Sequence, residues 1–277
     1  MTHPVHHALR SAALAAAERG WPVFPLRPGD KRPAITAWEQ RATTDSARIE
    51  RCWAHTPYNV GIATGPAGLV VVDLDTPKGA NDVPPAAWAL PGIGDGADVL
   101  AVLAERRGQP YPGHTFTVRT GRGGAHLYFT APDGAELHNS GGKLGWKVDT
   151  RAAGGYVVAS GSVVNGRRYE TTHDTAPAPL PAWLLQALRP APAPTGTLGQ
   201  VPTGRRAVGL VRTVLDAGEG QRNNRLYWAA LRAYESGGAA AEGISEALVG
   251  AAVAVGLPER EARATVASAA RRARGER

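Results

Sequence analysis

Val70-Val71-Val72-Asp73-Leu74-Asp75 is the stretch on which the reading of this chain turns. An apolar run of this kind reads as a buried strand, and side chains at alternate positions of a strand share a face. Asp73 and Asp75 therefore point the same way, with α-carbons about 6–7 Å apart. Two acids on a buried strand are costly unless something pairs with them. The spacing suits two carboxylates gripping one or two divalent cations. A strand that simply ends, with Asp75 opening the turn Thr76-Pro77-Lys78-Gly79, explains the pair equally well, so the rest of the chain must decide.

Working outward, residues 8–19 read as an Ala/Leu helix stopped by Gly20. Residues 21–26 read as a short strand whose prolines place it at a sheet edge. Thr43-Thr44-Asp45-Ser46 supplies N-cap residues for a helix reaching about His55. Residues 59–65 are a strand entering a glycine turn, and 97–107 carry a helical piece. Residues 114–120 and 125–130 form two strands joined by Gly121-Arg122-Gly123-Gly124. Residues 145–151 and 155–164 are expected to form a second such pair, joined by Ala152-Ala153-Gly154. Helices mixed with short hairpin-connected strands indicate an α+β fold, not a doubly wound array.

The strand faces carry the chemistry. Phe116 and Val118 alternate with Thr117 and Arg119; Leu127 and Phe129 with His126, Tyr128 and Thr130; Trp146 and Val148 with Lys147, Asp149 and Arg151. If these strands share a sheet with 69–75, one surface collects three aspartates, a histidine, a lysine and two arginines. Carboxylates hold metal, and the cations bind what the metal also binds, most naturally a triphosphate. Glycines in the 121–124 turn let backbone amides approach an anion, with Arg122 among them. No Gly-Lys-Ser/Thr follows, so the turn is not a Walker A loop.

Composition sets the bounds. The chain has 277 residues, 43% of them apolar, which is enough for a real core. A net charge of +7 and a pI near 9.9 make an anionic partner plausible, although a chain rich in alanine, arginine and glycine can be basic without one. Cys52 is the single cysteine, which excludes an intramolecular disulfide and a cysteine-rich zinc site. No apolar stretch reaches the length of a signal peptide or a membrane span, so no membrane partner is expected and the cytoplasm is the expected location. Residues 190–204, rich in proline and without apolar periodicity, read as a linker between a domain at 1–189 and a helical domain at 205–277. In that second domain Leu226, Ala230, Leu231 and Tyr234 form one apolar stripe and Ile244, Leu248 and Ala252 another. Pro258 falls at the N1 position of a last helix.

Together these residues resemble the bifunctional primase–polymerase domain of the archaeo-eukaryotic primase superfamily. The apolar-Asp-x-Asp motif matches Val72-Asp73-Leu74-Asp75, the small-x-His strand matches Gly124-Ala125-His126, and the later acid matches Val148-Asp149. Gly20-Trp21-Pro22-Val23-Phe24-Pro25-Leu26, Asn59-Val60-Gly61-Ile62 with Thr64-Gly65, and Gly154 through Ser162 are similar to the family's flanking segments. The resemblance spans about residues 8–188. It implies an RRM-like sheet with flanking helices, followed by a small all-helical domain in which Gly-x-Arg-Asn, here Gly220 to Asn223, opens the first helix.

The resemblance further implies a template-dependent primase/polymerase from a mobile-element or phage-type replication system. Asp73, Asp75 and Asp149 would hold two Mg²⁺ or Mn²⁺ ions, and His126 would contact the incoming nucleotide's phosphates. Arg119, Lys147, Arg151 and Lys31 are further candidates for triphosphate or template contacts, and Arg122, Thr64, Gly65, Ser160 and Ser162 for nucleotide contacts. The implied partners are a single-stranded DNA template and dNTPs or rNTPs. A helicase, if the system needs one, must be a separate chain. A metal-dependent nuclease and a non-catalytic DNA-binding module are the competing readings; the intact acids weigh against the module and the cations around His126 against the nuclease.

Overall fold

A computed structural model describes residues 3–135, 137–189, 205–217, 222–235 and 240–274. The chain divides into two compact units, Met1–Arg189 and Pro190–Arg277. The expected linker at 190–204 lies outside the described residues. In chain order the first unit contains α1 (His3–Glu18), β1 (Val23–Leu26), α2 (Trp38–Arg41), α3 (Ser46–Cys52), β2 (Asn59–Ala63), β3 (Leu69–Leu74) and α4 (Gly96–Glu105). It continues through β4 (Thr117–Arg119), β5 (Ala125–Thr130), β6 (Ser140–Gly145), β7 (Val148–Arg151) and β8 (Tyr156–Val158). It closes with β9 (Val163–Val164), β10 (Arg167–Arg168), β11 (Glu170–His173), β12 (Ala178–Pro179) and α5 (Ala182–Leu188).

Local chemistry sets the helix starts. The Asp45 carboxylate accepts from the Arg48 N–H at 2.9 Å and caps α3. Asp95 and Asp98 form a reciprocal capping box at the start of α4. Leu9, Ala13 and Ala16 make one buried stripe on α1.

The main sheet runs β11-β4-β5-β3-β7-β6, with β12 added in parallel to the end of β5. The valine run is its middle: β3 lies antiparallel to β5 on one side and to β7 on the other. Val70, Val72 and Leu74 face α4 and α5 in one core, beside Leu100, Leu127, Phe129 and Leu184. Leu69 and Val71 face the opposite way, into a core with α1, Trp53 and the inner residues of a second sheet, β1-β2-β8. Trp21, Phe116 and Tyr128 form an aromatic cluster there, with ring centroids 5.1 to 5.4 Å apart. The sheet is thus covered on both faces, and the acidic end of β3 sits where one cover stops.

Three expectations fail. Residues 145–151 and 155–164 do not pair. The edge beside β7 is taken by β6, joined to it by a tight turn at Trp146-Lys147 in which Lys147 adopts φ 62°. The chain then leaves the main sheet, and β8 pairs with β2 instead. In the second unit α6 (Arg205–Leu215) precedes α7 (Arg222–Glu235), so Arg222-Asn223 open the second described helix, not the first. α8 (Ala240–Ala254) and α9 (Glu259–Ala273) complete the unit, with Pro258 in the N-cap position of α9, one residue before the expected N1. Leu226, Ala230, Leu248 and Ala252 are all buried in its core.

Candidate active site

Strand register assembles the polar end of the sheet. Asp73 stands opposite His126 on β5 and opposite Asp149 on β7. Directly opposed residues share a face, so Asp73, His126 and Asp149 lie side by side across three strands. Val71, two positions before Asp73, stands opposite Arg151, which puts that guanidinium on the same face. Asp75 follows the end of β3 and is held there by the backbone: its N–H donates to the Lys147 carbonyl at 2.9 Å and its carbonyl accepts from the Gly96 N–H at 3.0 Å. Gly124 permits the close packing of the β4–β5 hairpin on this end of β3, since a Cβ there would lie 2.2 Å from the Leu74 carbonyl oxygen.

The side chains form a semi-buried polar cluster. His126 Nε2 is 3.5 Å from Asp73 Oδ1, and its buried Nδ1 has no hydrogen-bond partner. Asp149 accepts from the Gly142 N–H at 2.9 Å and lies 3.3 Å from the Arg151 guanidinium. Burial lowers the His126 pKa to about 4; Asp75 opposes that shift, and the positive charges of Arg151 and Lys31 reinforce it. His126 is therefore a neutral imidazole at pH 7, able to offer an N–H to an anion but not a full positive charge. Lys31 stands on an exposed loop. The loop is anchored by Asn59 Nδ2 donating to the Asp30 carbonyl at 2.9 Å and by the Tyr156 hydroxyl donating to the Lys31 carbonyl at 3.1 Å.

Other candidates sit elsewhere. Arg119 stands opposite Ala125, on the reverse face of the sheet, and is ion-paired to Glu170. The inversion arises because Val118, not Arg119, is the register partner of His126: α1 and the small sheet cover that face next to the acids, so β4 turns its apolar side there. Lys147 occupies the β6–β7 turn, and its ammonium is bound to Asp82. The Thr64 and Ser162 side chains are fully buried: Thr64 donates to the Ala152 carbonyl at 2.6 Å, and Ser162 accepts from the Val60 N–H at 3.0 Å. Ser160 accepts from the Thr171 N–H at 2.9 Å. Gly65 lies close against the backbone of Ala153. The contacts recorded for these four are with the protein backbone. Arg122 is exposed at the tip of the β4–β5 hairpin, its carbonyl accepting from the Thr76 hydroxyl at 3.1 Å.

One residue at the site escaped the sequence reading. Tyr169, between β10 and β11, lies 5.8 Å from the His126 ring, centroid to centroid. Burial, then the charges of Asp73 and Asp75, push its phenol up to about 12, while Arg122 pulls the other way. Its hydroxyl is therefore a neutral donor at pH 7. The signal was the adjacent pair Asn165-Gly166, a strong hairpin marker, which delivers Tyr169 to this position.

The residues fit a divalent cation in kind, and strand register brings Asp73 and Asp149 onto one face. Like charges directly opposite on neighbouring strands are destabilising, and Asp73 faces Asp149 with Asp75 on the same side; a cation relieves that repulsion. Hard carboxylate oxygens suit Mg²⁺ or Mn²⁺. Among the described residues no three acid, histidine or cysteine side chains stand close enough to form a finished ligand set. Binding would exchange some of the present hydrogen bonds of the carboxylates for metal bonds.

The family model that matches this chain is the N-terminal domain of bifunctional DNA primase/polymerase, over residues 13–183. A search of curated proteins returns no match.

Proposed function

The chain belongs to the bifunctional DNA primase/polymerase family, and from that premise we propose that its nucleotidyl transfer is carried by Asp73, Asp75, Asp149 and His126. Members of this family are metal-dependent enzymes that bind single-stranded DNA and nucleotides. The observation that supports this assignment is the register that sets Asp73 against both His126 and Asp149.

In the reaction a primer 3′-oxygen attacks the α-phosphorus of the incoming nucleotide, and the bond to pyrophosphate breaks. Asp73, Asp75 and Asp149 would hold two Mg²⁺ or Mn²⁺ ions, which supply acidity to the 3′-hydroxyl and neutralise the triphosphate. His126, neutral and buried, donates a hydrogen bond to a phosphate oxygen. Arg151 and Lys31 contribute positive potential over the same face and orient the triphosphate. His126 is buried and Asp73 only 16% exposed, which strengthens the contacts these two make relative to bulk water. No helix among the described residues is long and apolar enough to cross a membrane. We further propose a replication system of the mobile-element or phage type, working with a separate helicase.

The test is incubation of the full chain with primed and unprimed single-stranded template, labelled dNTPs or rNTPs, and Mg²⁺ or Mn²⁺. Template-directed extension that disappears in Asp73→Asn supports the assignment. Degradation of the template would point to nuclease chemistry, and a mobility shift without product to a binding module.

A further inference from the structure

Beside the acid cluster lies a cleft of about 440 Å³ between the β4–β5 and β9–β10 hairpins, whose lining includes Arg119, Arg122, Arg167, Arg168 and Glu170. The hairpins interlock at Gly121, where a Cβ would lie 2.9 Å from the Arg167 Cβ. β9 and β10 are joined by Asn165-Gly166 at φ 49° and 75°, the twist that a two-residue hairpin turn requires. That turn fixes two consecutive arginines on a rigid ribbon.

The charge is unbalanced. Four guanidinium groups meet one carboxylate, and Glu170 is already paired with Arg119. Arg122, Arg167 and Arg168 are exposed and make no ion pair among the described residues. Arginine is the residue best shaped for phosphate. The cleft is also contiguous with the catalytic end of the sheet: Tyr169 follows Arg168 directly, and its ring lies 5.8 Å from that of His126, tilted by 52°. A polyanion with its reacting end at the acids would lay its next phosphates here.

Resting on the polymerase reading, we propose that this arginine cleft is the binding track for the backbone phosphates of the single-stranded DNA template. The triphosphate is not the preferred occupant. His126 and Arg151 already share the acids' face, whereas the cleft's arginines are spread over two exposed hairpins and Arg119 lies on the reverse face of the sheet. Such an array recognises a chain of phosphates without reading sequence.

The experiment measures anisotropy of a labelled oligothymidylate with the full chain across a salt series, without metal or nucleotide, for wild type, Arg167→Ala/Arg168→Ala and Arg167→Lys/Arg168→Lys. The alanine pair should bind about tenfold more weakly at low salt. Its slope of log affinity against log salt should be shallower by about 1.4, two contacts of about 0.7 each. The lysine pair should keep the wild-type slope. At saturating template the dNTP KM of the alanine pair should stay at the wild-type value. An unchanged slope in the alanine pair overturns the proposal. So does a raised dNTP KM with intact DNA binding, which would assign the cleft to the triphosphate. A slope lost equally in the lysine pair would mark a damaged hairpin and also overturn it. If the cleft binds DNA as described but wild type incorporates no nucleotide, the polymerase reading fails and the cleft stands.

Discussion

The two faces of β3 differ over a few ångströms. On one, Val70, Val72 and Leu74 are at most 2% exposed and meet α4 and α5. On the other, Leu69 and Val71 are just as buried, but the next residue in line, Asp73, keeps its side chain 16% exposed beside His126 and opposite Asp149. One strand therefore carries a face that holds the fold together and a face that changes from packing to chemistry partway along. The comparison teaches that burial on both sides can coexist with a reactive end, provided one covering layer stops short. It also implies that stability and catalysis can be separated by substitutions one residue apart.

The strongest way to break that separation is to remove an acid. Asp73→Asn should lower template-directed incorporation by about 10³-fold, roughly 4 kcal/mol of lost transition-state stabilisation. Its melting temperature without metal should hold or rise, because a like-charge contact is relieved. Primer extension and thermal melting on one preparation check both halves. On the opposite face Leu100→Ala should do the reverse. A fully buried leucine in that core should cost about 2–5 kcal/mol in urea unfolding, while activity per folded molecule stays near wild type.

His126→Ala tests the boundary between the faces. A neutral imidazole offers one hydrogen bond, worth about 0.5–1.5 kcal/mol. The dNTP KM should therefore rise by up to about tenfold, with little change in the Mn²⁺ concentration needed. A large shift in metal requirement at constant KM would reassign the residue. The smallest effect is expected from Tyr169→Phe, which removes a hydroxyl and keeps the ring: a few-fold change in KM and less than about 1 kcal/mol in stability.

Most of the first unit could be read from the chain. The valine run, the Gly121–Gly124 hairpin and the Asp45 cap each announce themselves by period or by a residue type with a single use. The failures have physical causes. Alternation along β4 would set Arg119 beside the acids, yet that face is covered by α1, so β4 lays Phe116 and Val118 on it. β6, with Ser140-Gly141-Gly142-Lys143 at its start, has too few apolar residues to show any alternation. β9 and β10 are two residues each, below the length at which a pattern exists, although the Asn165-Gly166 turn between them was legible. Tyr169 and the arginine cleft depend on that hairpin and were missed with it. In the second unit Asn223 is hydrogen-bonded to Thr265, and the Arg222 guanidinium lies 3.4 Å from where a Cβ on Gly256 would be. The Arg-Asn helix start thus makes contacts that pack α7 against its neighbours.

The central claim is that three carboxylates on one sheet face hold the divalent cations, and Asp149 is its most exposed member because strand register alone joins it to the other two. Mn²⁺ titration of the full chain, followed by loss of the free-ion paramagnetic signal, tests it directly. Wild type should bind Mn²⁺, and Asp149→Asn should bind it at least about tenfold more weakly with an unchanged circular dichroism spectrum. Equal binding by wild type and Asp149→Asn would contradict the account.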